Sequence, residues 1–236
     1  SKLRVLYFRD TFEDGNFHRN PKWVVKSGDF SVNKAGRLSS FVVMKAYEVQ
    51  VEEQSEQNKS LEAEAVGVIL DSIFGAKKKK ESIQDTPQQL PEPVQPASIY
   101  TKNVFPPAFE MNMKFKSSQE GEMDITLLGS QSLLPRYRLK IKANHSDEEP
   151  IELIRETKSR SFVVAAGNKS PVINDGKFHT LSWIRLTNGA MNISIDGDVV
   201  LQTYEVYYRD NFTGFEINNN GGSYEWDSFE IFKALK

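Results

Sequence analysis

Apolar and polar residues alternate with a period of two along most of this chain, and that rhythm limits what it can fold into more than any other feature. Successive side chains on a strand point to opposite faces, so such alternation marks strands with one buried and one wet face. FEMNMKF places Phe109, Met111, Met113 and Phe115 on one side; MDITLL does the same with Met123, Ile125 and Leu127, and RYRLKI with Tyr137, Leu139 and Ile141. Turn chemistry separates these runs: SSQEG at 117–121, ANHSDEEP at 143–150, NDG at 174–176, NG at 188–189 and DG at 196–197. Asn-Gly and Asp-Gly suit tight hairpins because the central residues must tolerate positive φ. The expected fold class is all-β, an antiparallel two-sheet sandwich.

One segment interrupts the rhythm, which divides the chain into first strands at 1–46, an insertion at 47–98 and the rest of the sandwich at 99–236. The insertion holds the acidic EEQSEQNKSLEAEA, a KKKK run and the Pro- and Gln-rich DTPQQLPEPVQPAS, which cannot pair into a sheet centre. Within it, residues 60–75 carry Leu61, Ala65, Val66, Ile69, Leu70, Ile73 and Phe74 at spacings of three and four, followed by Gly75 and lysines. This pattern predicts a short amphipathic helix. Three roles are open to its apolar face: packing on its own domain, docking in a partner's groove, or resting on a membrane surface beside Lys77 to Lys80. In the docking case Leu61, Val66, Ile69, Leu70, Ile73 and Phe74 carry the contact.

At 236 residues and 39% hydrophobic content the chain can bury an ordinary core. Its formal charge of −2 supplies no global positive field for nucleic acid. It has no cysteine, which excludes disulfides and thiolate sites, and His18, His145 and His179 are too scattered to build a zinc or iron centre. Any metal would be calcium on oxygen ligands. No apolar run approaches the ~20 residues a membrane-spanning helix needs. The start SKLRVLYFRD does not have a signal peptide's layout, and the expectation is that one has been removed.

The segment DGKFHTLSWIRLTNGAMNISIDGDVVLQTY, residues 175–204, resembles a signature of laminin-G-like domains in the concanavalin A-like lectin/glucanase superfamily: a DG-x-aromatic-His strand, a hairpin, and a strand ending in DG. DTFEDGNFHRNPKWVVKSGDFSVNKAGRL looks like the opening of such sandwiches, and FTGFEINNNGGSYEWDSFEIFKAL like their close. The resemblance implies a jelly-roll sandwich with its first and last strands adjacent. Leu181 and Trp183 then face inward beside Met191, Ile193 and Ile195, and His179 serves as a framework residue rather than a proton shuttle. Domains of that kind often hold a calcium ion at a loop rim, for which Asp210, Asn218, Asn219 and Asn220 are weak candidates; Asn-Asn-Asn-Gly-Gly equally describes a plain turn, and the expectation is no cofactor.

The acids Glu225, Asp227 and Glu230 spell ExDxxE, which is similar to the catalytic motif of the laminarinase and lichenase family. There the first Glu is nucleophile, the last acid/base, and the Asp tunes them, with Tyr224, Trp226 and Trp183 available as sugar platforms. Against catalysis, a regular strand turns Glu230 to the face opposite Glu225, and Phe229 with Ile231 reads as a core face. In that family further strands follow the motif, whereas this sequence ends at Lys236. The expectation is therefore a non-catalytic recognition or assembly module, secreted or periplasmic, that binds a glycan or a protein partner and is not an enzyme; a β-glucan hydrolase is the alternative. Tyr204, Tyr207 and Tyr208 are the glycan-binding candidates, with strand packing as their other reading. NxS/T triplets at Asn58, Asn144, Asn168, Asn192 and Asn211 are glycan acceptors only in a eukaryotic secretory route.

Overall fold

The computed structural model describes residues 4–43, 95–129, 133–143, 149–167 and 171–234. Every regular element among them is a strand. In chain order these are β1 (Leu6–Asp10), β2 (Trp23–Ser27), β3 (Ser31–Val32), β4 (Leu38–Val42), β5 (Ala97–Phe105), β6 (Phe109–Ser117) and β7 (Glu122–Gly129), followed by β8 (Leu134–Lys142), β9 (Ile151–Glu156), β10 (Ser161–Gly167), β11 (Phe178–Arg185), β12 (Ala190–Ile195), β13 (Asp198–Tyr204) and β14 (Phe212–Lys233). All pairings are antiparallel, as expected.

Two sheets share one long strand. The N-terminal part of β14 lies between β5 and β7, in the order β2-β5-β14-β7-β8-β9-β10. Its C-terminal part lies beside β6 in the second sheet, which continues through β11 and β12 to β13, with β4 and β1 on the other side of β14. The first and last strands are thus adjacent, Arg9 opposite Glu230.

The chain changes sheets at the stretch that reads like a plain turn. Asn219 is fully buried there: its amide donates to Ser40 Oγ at 3.3 Å and to the Gly222 carbonyl at 3.1 Å, while its Oδ1 accepts the Gly221 N–H at 3.0 Å. Gly222 has φ +106°, and a Cβ there would lie 2.9 Å from the Glu120 carbonyl. The Asn-Gly-Gly sequence is a corner within a continuous strand, with its polar groups satisfied internally.

The alternating residues form the core as read. Phe109, Met111, Met113, Phe115, Met123, Ile125, Leu127, Tyr137, Leu139 and Ile141 are all buried. Leu181 pairs with Ile195 and Trp183 with Ile193, so the hairpin register follows the sequence pattern. Its partner turn closes through Asp196 and Gly197, both at positive φ, the geometry of a two-residue type I′ loop. At the centre Phe215 meets Phe8 and Trp23, each at 5.2 Å and edge-on, and Phe229 at 5.7 Å. Burying a ring the size of Trp23 contributes at most about 4–6 kcal/mol by area. β5 begins at Ala97, inside the segment assigned to the insertion, because Ala97 and Ile99 are core residues paired with Asn219 and Ile217. The expected helix at 60–75, with Leu61, Val66, Ile69, Leu70, Ile73 and Phe74, lies outside the described residues.

Candidate functional site

The three acids of ExDxxE stand on one strand, and the register decides which way each points. Glu225 is opposite Lys116 and Trp226 opposite Phe115, but Ser228, not Asp227, is opposite Lys114. Asp227 is the extra residue of a β-bulge. Beyond it the phase is reversed, so that Phe229 and Ile231 stay in the core while Glu230 emerges on the outer face with Glu225 and Asp227. The regular-strand expectation that Glu230 points away is therefore corrected: all three acids share a face.

Each acid meets a base there. Glu225 contacts Lys116 Nζ at 2.5 Å and Arg37 at 3.8 Å, and accepts from Asn33 at 3.2 Å. Asp227 binds Lys114 Nζ at 3.0 Å and Arg37 Nε at 3.1 Å; Glu230 binds Arg9 Nε at 3.3 Å. Burial alone raises the Asp227 carboxyl, but its hydrogen bonds and charge contacts with Lys114 and Arg37 hold it below its ordinary value. Phe178 lies among the same cations, its ring centroid 4.5 Å from Arg37, 5.2 Å from Lys114 and 5.4 Å from Lys116. The aromatic platforms proposed for a sugar are not on this face: Trp183, Tyr224 and Trp226 are core residues.

A second concave feature sits where the β5–β6 and β11–β12 turns meet the ends of β1, β13 and β14. It is a groove of about 730 Å³ with Pro106, Pro107, Ala108 and Val206 among its lining, flanked by Tyr7 and Tyr204. The Asn-Gly turn shapes its edge. Gly189 has φ +93°, and a Cβ there would lie 2.6 Å from Val206 Cγ1. Arg185, Arg209 and Lys233 bring cations to the groove.

The three candidate tyrosines separate here. Tyr204 is 64% exposed and borders the groove. Tyr207 is exposed as well, but its ring packs on Tyr208 and carries the Arg155 guanidinium at 4.5 Å. Tyr208 is a correction: it is buried, and its hydroxyl donates to the Glu156 carbonyl, so its ring has no face for a ligand. Tyr7, Arg185, Arg209 and Lys233 were not anticipated. Arg185 left a trace in the sequence, since it continues the inward phase of Leu181 and Trp183.

His179 donates from both ring nitrogens when charged, Nδ1 to Asp196 at 2.7 Å and Nε2 to Asp175 at 3.0 Å, and so ties β11 to two turns as a framework residue. The calcium candidates do not form a cage. Asn218 and Asn220 lie within β14, and Asn220 points its amide nitrogen at Glu122 (3.1 Å) and Asp124 (3.0 Å), carboxylates that already pair with Lys140 and Arg138. Asp210 is exposed in the preceding loop. Among the described residues no group of three or more His, Asp or Glu side chains could hold a metal ion.

Neither a protein-family model nor a curated protein matches the sequence. Solved structures do match the fold. A Bacillus licheniformis β-glucanase aligns with TM-score 0.58 and 10% identity over 97% of this chain and 98% of its own. A prokaryotic β-1,3-1,4-glucanase (lichenase) from a mouse hindgut metagenome gives TM-score 0.58 and 12% identity, covering 97% and 99%. A Bacteroides ovatus mixed-linkage glucan GH16 in complex with a product gives 0.57 and 15%, covering 95% and 99%. With its two antiparallel sheets, shared long strand and adjacent terminal strands, the chain has the concanavalin A-like jelly-roll fold.

Proposed function

We propose that this chain is a non-catalytic glycan-recognition module of a secreted or cell-envelope protein, and that it binds sugar in the groove beside Tyr204. The observation that carries this reading is the exposed Tyr204 ring, set with Tyr7 beside an apolar concavity large enough for a few sugar units. Sugars dock their apolar ring faces on aromatic side chains and hydrogen-bond at their rims, and this groove supplies both kinds of surface. The glucanase names of the neighbouring structures make β-glucans sensible first probes. Affinity electrophoresis or calorimetry against mixed-linkage β-glucan, laminarin and polygalacturonate should show binding by at least one polysaccharide. Tyr204→Ala should weaken it by about tenfold or more. Binding to none of these glycans, or full binding by Tyr204→Ala, would remove the reading.

One observation favours a second reading, β-glucan hydrolysis by Glu225, Asp227 and Glu230: the bulge that brings all three acids to one face. Retention requires two carboxyls about 5–5.5 Å apart on either side of the scissile bond. Here the partners of Glu225 and Glu230 on β6, Lys116 and Asn112, are four positions apart, or about 13 Å along the strand. To converge on one bond, the two side chains must leave Lys116 and Arg9 and lean over Asp227. The salt-bridge lattice is the simpler role for these acids. Release of reducing ends from mixed-linkage β-glucan, abolished in Glu225→Gln and Glu230→Gln, would establish the hydrolase instead.

A further inference from the structure

Resting on the glycan reading of the groove, we infer that it selects acidic glycans, chains whose uronate carboxylates or sulfate esters meet Arg209 and Lys233. Three cationic residues line the groove, Arg185, Arg209 and Lys233, and no carboxylate does. That imbalance runs against a chain whose formal charge is −2. Arg37, Lys114 and Lys116 on one sheet face and Arg138, Lys140 and Arg155 on the other each pair with an Asp or Glu. The side chains of Arg209 and Lys233 have no carboxylate partner among the described residues.

Arg185 is the independent observation. It is only 3% exposed, a guanidinium set into the end of the sandwich. Its NH groups donate to the carbonyls of Pro107 (2.8 Å), Glu205 (3.0 Å) and Tyr208 (2.8 Å), and its Nε is buried with no hydrogen-bond partner. No carboxylate lies within ion-pair distance of it among the described residues. Carbonyl dipoles hold this charge in place without cancelling it, and buried charge is screened far less than exposed charge. The groove therefore has a fixed, buried positive centre and two exposed cations beside it. A neutral sugar would occupy the ring-binding surface and leave that field unanswered. An acidic one answers it, with the Arg209 fork matched to a carboxylate or sulfate.

The test compares hexagalacturonate with its methyl ester, and a sulfated galactan hexasaccharide with its desulfated form, by calorimetry on the full chain at low and moderate salt. Arg209→Ala/Lys233→Ala is the variant, since both side chains lie at the surface; Arg185 is left intact because it ties the β5–β6 and β13–β14 loops together. The charged form of at least one pair should bind about tenfold more tightly than its neutral counterpart, with the gap narrowing in salt. The double variant should lose most of that preference, keeping only what the Arg185 field supplies. Which pair responds identifies the anion as uronate or sulfate. Equal affinity for charged and neutral forms overturns the inference and leaves the glycan reading standing, as does a charge preference unchanged in the double variant. Binding of no oligosaccharide by wild type removes the glycan reading itself, and this inference with it.

Discussion

Changing His179 to Gln should flatten the pH dependence of folding stability on the alkaline side of neutrality. In the native chain the ring is buried, with Nδ1 2.7 Å from Asp196 and Nε2 3.0 Å from Asp175. Burial by itself lowers the histidine's affinity for a proton, but the hydrogen bonds to Asp196 and Asp175 and the charges of both acids raise it overall. The folded state therefore holds the proton more tightly than the unfolded chain, whose histidine titrates near 6.5. The stabilisation is complete below that value and is lost as pH rises through the raised folded one. Asp175 acts at the other end. Its hydrogen bonds from the Lys177 backbone and from His179 bring its carboxyl down to about 2, so its contribution is present above about 3.8 and lost as pH falls through about 2. A charge-assisted contact such as that to Asp196, half of whose side chain is exposed, contributes about 1–2 kcal/mol. For a domain of this size that corresponds to roughly 2–8 °C in Tm. Thermal melts of wild type and His179→Gln from pH 5 to 9 give the difference directly, since His18 and His145 are common to both. The gap should be widest near pH 5–6 and shrink above neutrality; a gap constant across that range would refute the charged-histidine account.

Other expectations follow from single contacts. Phe215→Ala should cost about 3–5 kcal/mol in urea unfolding, because its ring fills the space among Phe8, Trp23 and Phe229. Gly222→Ala should cost about 1–3 kcal/mol, since φ +106° and the Glu120 carbonyl both oppose a Cβ at the corner of β14. Glu225→Gln with Glu230→Gln should leave glycan affinity unchanged in titration, and each change should shift stability by no more than about 1 kcal/mol because the ion pairs they break are partly exposed.

The strand pattern was legible because its period is enforced by burial. Once Met111, Met113 and Phe115 must face the core, the register with Leu181 and Trp183 is set, and Asp196-Gly197 can close only a tight hairpin. The corner at 219–222 was not legible. Asn and Gly make a turn or a sheet-switching bend equally well, and only the buried amide contacts of Asn219 with Ser40, 179 positions away, distinguish the two. Tyr208 illustrates the same limit, since one tyrosine in TYEVYYRD looks like another until Glu156 is seen to take its hydroxyl hydrogen bond.

The two candidate sites differ in what could be read ahead. For the acids, the motif was visible but its geometry was not, because one extra residue at Asp227 reverses the phase of everything after it. The apolar residues contained the hint: Trp226 and Phe229 are both buried yet three positions apart, which a regular strand cannot satisfy. For the groove, the hint was Arg185. A strand that places Leu181 and Trp183 in the core must place Arg185 there too, and a buried guanidinium needs either a carboxylate or a reason for lacking one. Three carbonyls secure its position, and none of them neutralises it. The same charge makes the sandwich end harder to fold and readier to receive an anion. Arg185 thus supplies a fixed field behind Arg209 and Lys233, the exposed side chains proposed to meet the ligand's anion.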